Sequence, residues 1–451
     1  MRFITYILHK NYRLSSAVKF WVVRKLTPAG VIVFFAAILT GGIGIDTNQA
    51  LAYQAFILLS LILLISLGWS FVPAPKFLAR RTLPRVGTAQ EPLLYRVTVA
   101  NPNRTLQASV TVTEELADPR PGFTEFADTP EPGEKKRNLF DRFFRFYRWM
   151  WLVERNELAQ AIPARLPPIR PGQSVEENLK VVAKKRGHLR LQGLSFAVTD
   201  PFGLCRRYSR IAAPQTVLIL PKRYTLPRIQ LGGASQYQPG GISLGSSVGE
   251  SEEFLSVREY RRGDPLRHIH WKSTGRSGKL IVKEFQNEFF VRHALILDTF
   301  LEDSTSPVFE EAISIAASFA LTLNTQEALL DLLFVGAEAF TITTGHGVAQ
   351  VDHMLEILAE VQPCTGQAFE ALEAAVLQQI AQVSGCVCIF LKWDEDRKSL
   401  IDQMSTLGIP LLVLVLKKPG AKDPRIELAP SPFVRVRVID SGRVAEDLSK
   451  L

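Results

Sequence analysis

The sequence predicts a membrane-anchored multidomain protein built from a two-helix transmembrane hairpin, an antiparallel β-sandwich and a three-layer α/β domain. Three observations predict it. Two uncharged apolar runs lie near the N-terminus, apolar and polar residues alternate through the middle, and after Arg292 apolar strands alternate with amphipathic helices. The 451 residues suffice for two or three domains, and 47% hydrophobic content exceeds what an ordinary soluble chain needs.

The hairpin rests on length and flanking charge. Ala29 to Ile45 holds no charged residue over 17 positions, and Ala50 to Val72 holds none over 23. At about 1.5 Å per residue each run crosses a bilayer core, the first only just. Arg2, Lys10, Arg13, Lys19, Arg24 and Lys25 precede the first run, Lys76, Arg80, Arg81 and Arg85 follow the second, and no Lys or Arg stands between them. The positive-inside rule then places both flanks in the cytoplasm of a cell with an inner membrane, giving residues 1–28 as a basic cytoplasmic N-terminus and 29–72 as the hairpin. Ala37, Gly41 and Gly44 share a face and allow close helix approach. A cleaved signal peptide is excluded, because the first run starts late and a longer one follows it.

Alternation such as "LYRVTVANPN", "ASVTVTEEL" and "HLRLQGLSFAVTDPFGL" makes residues 73–225 an antiparallel β-sandwich. A segment rich in Pro and charge, 120–170, reads as an insertion in it. Within the insertion, Phe140, Phe143, Phe144, Tyr147 and Trp151 recur at i, i+3, i+4 spacing, interleaved with Arg142, Arg145 and Arg148. A cationic helix with an aromatic face suits lipid headgroups; an aromatic helix docked on its own domain fits the pattern equally.

Residues 291–451 read as the α/β domain. "ALILD", "LLDLLFV", "CVCIFL", "IPLLVLVL" and "VRVRVI" are strands, and 308–324, 348–360 and 367–382 are helical. Continuous apolar strands imply a mostly parallel sheet covered on both faces, a Rossmann-like arrangement with its ligand edge at the strand C-termini. No GxGxxG or GxxxxGK[ST] appears, so nucleotides lack their usual cradle. No Ser/His/Asp order, catalytic carboxylate pair or HExxH appears either, so the expectation is no enzyme and no cofactor. Cys386 and Cys388 alternate on one strand face, without His at ligand spacing, and read as small core residues.

Charge is uneven. Residues 1–85 carry a net +9, 86–289 a net +10 and 290–451 a net −10. Only the middle offers a basic face. Carboxylates threaded through it and the lack of an aromatic base platform argue against nucleic acid.

The densest basic stretch lies in the linking segment 226–290. "REYRRGDPLRHIHWKSTGRSGKL" (258–280) holds seven Lys or Arg, two His and two carboxylates. Arg262-Gly263-Asp264-Pro265 is a turn, in which Gly263 is free for φ > 0. Arg258 and Arg267 offer planar forks to Glu253, Glu259 or Asp264. The expectation is a clasp between the two soluble domains, in which Arg267 and Asp264 hold the turn and Trp271 seals it. A partner surface is the alternative, drawing on Glu259, Tyr260, Arg262, Lys272, Arg276 and Lys279 as well.

Two motifs carry a family resemblance. "RGHLRLQGLSFAVTDPFGL" (186–204) and "FLSVREYRRGDPLRHIHWKSTGRSGKLIVKEF" (254–285) resemble the signature of bacterial membrane proteins of the domain-of-unknown-function-58 family, with Gly275 standing where that pattern usually has Ala. The resemblance implies a von Willebrand factor A-like last domain and a protein partner, an AAA+ ATPase of the MoxR type. It also implies a metal question. Metal-binding von Willebrand A domains hold Mg²⁺ on Asp-x-Ser-x-Ser, whereas this chain has Asp298-Thr299-Phe300-Leu301-Glu302. Asp298 is in place, but Phe300 supplies no oxygen, so the shell is incomplete; Asp298 serves as the metal ligand or as a strand-end cap. The function expected is a non-enzymatic scaffold touching membrane lipid and presenting a cytoplasmic domain to that partner. A metal-dependent ligand-binding protein is the alternative.

Overall fold

The computed structural model describes residues 2–43, 50–227, 238–239, 254–285, 289–290, 292–301, 306–324, 329–335, 339–344, 348–364, 367–380, 383–428 and 431–451. They form two compact units, Met1–Leu220 and Pro221–Leu451.

The first unit begins with three helices, α1 (Arg2–Lys25), α2 (Pro28–Ile43) and α3 (Ala50–Ser70). From Leu51 to Ser70, α3 is long and apolar enough to cross a membrane; α2 is apolar but shorter. They lie against each other where Gly41 meets the Phe56 ring, which a Cβ at position 41 would approach to 3.0 Å. Gly44, the last of the small residues expected there, lies outside the described residues. Residues 1–28, read from charge as a basic terminus, are mostly the helix α1.

The strands follow as β1 (Leu78–Thr82), β2 (Val86–Thr88), β3 (Pro92–Ala100) and β4 (Val110–Leu116), then the helices α4 (Phe123–Asp128), α5 (Leu139–Phe144) and α6 (Phe146–Asn156). After them come β5 (Ala159–Ile162), β6 (Ala164–Arg165), β7 (Ser174–Ala183), β8 (Gly187–Thr199) and β9 (Arg206–Leu220). Two sheets result, ordered β1-β3-β7-β5 and β2-β9-β8-β4-β6. All ladders are antiparallel except β2–β9. Alternation sets the faces. Leu93, Tyr95, Val97 and Val99 of β3 share one core with Val110 and Val112 of β4 and with Phe196, which stacks on Phe77 at 4.9 Å.

A buried polar network crosses that core. Arg81 of β1 donates from Nη1 to Glu114 of β4, from Nε to Gln215 Oε1 (2.6 Å) and from Nη2 to the Ala213 carbonyl. Tyr95 Oη donates to the other Glu114 oxygen at 2.6 Å. Burial pushes the Glu114 carboxyl up, against the opposing pull of Tyr95 and Arg81.

The insertion departs from the expected single helix. Arg145, at φ +54°, breaks it into α5 and α6. Arg148 is not part of a cationic outer face: it is buried, pairs with Glu134 at 2.6 Å and donates to the carbonyls of Phe126 and Ala127. Trp151 packs beside Phe126, Trp149 and Leu152, whereas Phe140, Phe143, Phe144 and Tyr147 are exposed. Arg137 lies 3.9 Å over the Tyr147 ring. Of the five aromatic residues in the pattern, Trp151 docks and the other four face outward.

The second unit contains β10 (Gln238–Pro239), β11 (Phe254–Glu259), α7 (Trp271–Ser277), β12 (Ile281–Phe285), β13 (Phe289–Phe290) and β14 (Arg292–Leu297). The chain continues through α8 (Pro307–Asn324), β15 (Leu329–Val335), β16 (Ala339–Thr344), α9 (Val348–Glu360), α10 (Glu370–Gln379) and β17 (Gly385–Phe390). It ends with α11 (Glu395–Thr406), β18 (Leu411–Lys417), β19 (Val434–Asp440) and α12 (Val444–Leu448). Six strands form one sheet in the order β16-β15-β14-β17-β18-β19, parallel except for β16. Every residue of β17 is buried, as both-face coverage requires. Ala294, Ile296, Cys386 and Cys388 face α10 and α11, and α8 runs over β14, β15, β17 and β18. Burial pushes the Cys388 thiol up to about 12, so it packs as a small apolar group. Tyr224 ties the entering chain to α8 through Glu311 (2.6 Å) and Ser318 (2.7 Å).

Candidate functional site

Two places in the second unit concentrate charge. The first is the 254–285 segment. Strands β11 and β12 pair antiparallel, with Ser256 opposite Glu284 and Arg258 opposite Val282. Arg261 to Asp264 form a turn closed by Asp264 N–H donating to the Arg261 carbonyl at 3.0 Å, while the Asp264 carboxylate accepts from Arg261 N–H at 2.8 Å. Gly263 sits at φ +112°, which requires a residue without Cβ. A short 3-10 turn (Leu266–His268) and α7 then lead back to β12, and Gly278 at φ +70° ends α7.

Arg258 organises this segment. Its guanidinium grips Asp264 bidentately at 2.7 and 2.8 Å and donates from Nε to Glu284 at 2.9 Å. Ser256 Oγ takes the second Glu284 oxygen at 2.6 Å. Lys279 pairs with Glu259 at 2.7 Å, both side chains exposed, and Tyr260 N–H donates to the Leu280 carbonyl. These partners all lie inside the segment, and Glu253 falls outside the described residues. The expected Arg267–Asp264 link is replaced by Arg258–Asp264, because the hairpin register brings Arg258 over the turn. Arg267 is exposed, with Nε 3.3 Å from His268 Nε2. Trp271, expected as a seal, is 69% exposed. His270 Nδ1 lies 2.7 Å from Ser273 Oγ. Arg261, Arg262, Lys272 and Arg276 are exposed beside them.

The hydrogen bonds from Arg258, then from Arg261 N–H, hold the Asp264 carboxyl down to about 2. A depressed carboxylate contributes its stabilisation above the unfolded value of about 3.9 and loses it only as pH falls through the folded value. The labelled Asp264 carboxyl carbon is therefore expected to titrate near 2 by NMR. Titration at the ordinary aspartate value would mean the bidentate pair does not form.

The second place is the sheet's topological switch point, where β14 and β17 carry chains that leave in opposite directions. Asp298 follows β14 there, with 0% exposure. Its Oδ1 accepts from Phe300 N–H (3.0 Å), its Oδ2 from Leu391 N–H (3.1 Å), and both from Arg397 of α11, at 2.9 Å from Nε and 3.1 Å from Nη2. Arg397, only 1% exposed, also donates to Asp394 Oδ2 at 2.7 Å and lies 4.4 Å over the Phe369 ring. Burial works against the charged guanidinium, but the two carboxylates outweigh it and hold its pKa above the ordinary value. A guanidinium thus fills the space before the carboxylate. Glu302, Asp303, Ser304 and Thr305 lie outside the described residues. Among those described, no group of three His, Cys, Asp or Glu is arranged to hold a metal.

Neither Arg397 nor Asp394 belonged to the expected site. The signal for them was Asp394 as an N-cap followed by two acids, and the structure has Asp394 accepting from Arg397 N–H at 3.2 Å.

A family model described as "protein of unknown function DUF58" matches residues 256–396. The match runs from the Arg258 hairpin through Asp298 to the first turn of α11. The "Uncharacterized protein YeaD" of Bacillus subtilis (strain 168) is 24% identical over 286 residues, covering 60% of this chain and 68% of its own. Among solved structures, a red sea bream transglutaminase matches at 13% identity over 33% of this chain and 15% of its own, with a TM-score of 0.17. AvmM, which catalyses macrocyclization in alchivemycin A biosynthesis, matches at 9% identity over 32% of this chain and 89% of its own, with a TM-score of 0.18. Neither likeness carries an argument about fold.

Proposed function

We propose that this chain is a non-enzymatic membrane scaffold that presents its 254–285 segment to an acidic protein partner. The observation that carries the reading is a division of labour among neighbouring cations. Arg258 is used internally against Asp264 and Glu284, while Arg261, Arg262, Lys272 and Arg276 stand exposed beside Trp271 on the frame it stabilises. A basic rim around an exposed Trp is the composition of a protein-docking surface. The family resemblance makes an AAA+ ATPase of the MoxR type the first candidate partner. A metal-dependent role at Asp298 would require Arg397 to leave its place.

The anchor is α3 with α2 beside it, two spans whose basic flanks put both termini in the cytoplasm, inside the von Willebrand A-like reading of the last domain. A reporter fused after Leu451 is expected to be active in the cytoplasm; periplasmic activity would overturn this topology.

Arg262→Glu, Lys272→Glu and Arg276→Glu combined test the docking. In a crosslinking pull-down from membranes, the variant is expected to lose the captured partner. Its melting should barely move, since exposed substitutions shift stability within about 0.5 kcal/mol each. Capture of the same partner in the same amount would remove the proposal.

A further inference from the structure

Helix α1 carries two faces with different fates. Thr5 and His9 are buried and Tyr12 is half-buried against the insertion. The His9 ring lies 5.6 to 5.8 Å from Phe123, Phe126 and Trp149, and Tyr12 Oη donates to the Phe144 carbonyl at 2.8 Å. Arg145 donates to Thr5 Oγ1 at 3.0 Å. At 100° per residue the other face carries Phe3, Ile4, Ile7, Leu14, Val18 and Trp21, interrupted by exposed Asn11, and these six are 45% to 74% exposed. The stripe extends over about 27 Å at 1.5 Å per residue.

Three observations say what covers it. The C-terminal end of α1 is fixed to the end of α3: Lys25 Nζ donates to the Ser70 carbonyl at 2.7 Å. Only Leu26 and Thr27 separate α1 from apolar α2, and Thr27 N–H donates to the Leu204 carbonyl at 2.9 Å. Finally, α1 carries Arg2, Lys10, Arg13, Lys19, Arg24 and Lys25 and no acid. A helix with one apolar face, aromatic ends and only cationic charge matches an anionic bilayer surface. The stripe also fits a heptad seam, but a second copy would bring the same six cations against these six without a carboxylate between them.

We infer that α1 lies in the plane of the membrane surface, its Phe3–Trp21 stripe inserted among anionic lipids and its opposite face holding the insertion. The inference rests on the proposed spanning role of α2 and α3.

The full chain, reconstituted in vesicles of phosphatidylcholine and phosphatidylglycerol, tests both readings separately. The native cysteines are all buried, so a fluorophore is placed in turn at Ile7→Cys, Val18→Cys, Lys19→Cys and Leu61→Cys. Lipids brominated near the glycerol end quench shallow probes, and lipids brominated mid-chain quench deep ones. The expected result is loss of emission at positions 7 and 18 with shallow bromines, loss at 61 with deep bromines, and none at 19. Emission kept at 7 and 18 while 61 is quenched overturns the inference and leaves the spanning helices standing. Emission kept at 61 with both lipids overturns the anchor itself. Crosslinking between two Ile7→Cys chains, with no quenching there, assigns the stripe to a second copy and also overturns it.

Discussion

Arg397→Met is expected to lower the stability of the second unit by about 3–5 kcal/mol, because it leaves the Asp298 charge buried without its partner. The remaining donors, Phe300 N–H and Leu391 N–H, satisfy hydrogen bonding but supply no full charge. Asp298→Leu is expected to cause a comparable loss, since Arg397 would keep only Asp394. The pair is the informative control. Removing both charged groups in Asp298→Leu/Arg397→Met should recover part of the loss, as replacement of a whole buried ion pair by apolar groups is often close to neutral. Hydrogen exchange of the β14 and β17 amides in the intact protein reads the effect. Unchanged protection in Arg397→Met would mean that the guanidinium does not sit on Asp298.

The same pair marks how far the sequence could be read. Strands such as "CVCIFL" and "IPLLVLVL" were legible because a strand buried on both faces must be apolar throughout. Helix α11 was not, since only Leu400, Ile401 and Met404 of its twelve residues face the core among the apolar ones. No local pattern joins Asp298 to Arg397 across 99 residues; the crossover that brings α11 over the switch point does so.

Within the 254–285 segment, charge composition was legible and pairing was not. Glu284 meets Arg258 because Ser256 lies opposite Glu284, which makes the two diagonal neighbours on one face of the ladder. That register was needed to prefer Arg258 over Arg267. Helix α1 was hidden by its charge: counting its six cations described a basic terminus, while the 3.6-residue period of Phe3, Ile7, Leu14, Val18 and Trp21 went unused. The insertion's aromatic period was legible, yet Trp149 and Leu152, not the exposed set, make its docked side.

Arg81→Met is the counterpart in the first unit, with an expected loss of about 3–5 kcal/mol on the same ground. Arg81 and Glu114 have side chains 2% and 0% exposed, and Glu114 links β4 of one sheet to Arg81 and Tyr95 of the other. Tyr95→Phe removes one neutral donor to the carboxylate and should lower stability less, by about 1–3 kcal/mol. The pH dependence separates charge from packing. Burial already raises the Glu114 pKa, and without Arg81 the carboxyl will take up a proton sooner than stay charged in the core. The folded variant then binds a proton that the unfolded chain releases above its ordinary value of about 4.3. By linkage, the variant's deficit relative to the parent is small near that value and widens as pH rises toward the raised folded value. Urea midpoints of the intact protein at about pH 5 and about pH 8 measure it. A deficit that is the same at both pH values would assign the loss to the missing Arg81 side-chain volume and its contacts with Gln215 and Ala213, not to an uncompensated Glu114.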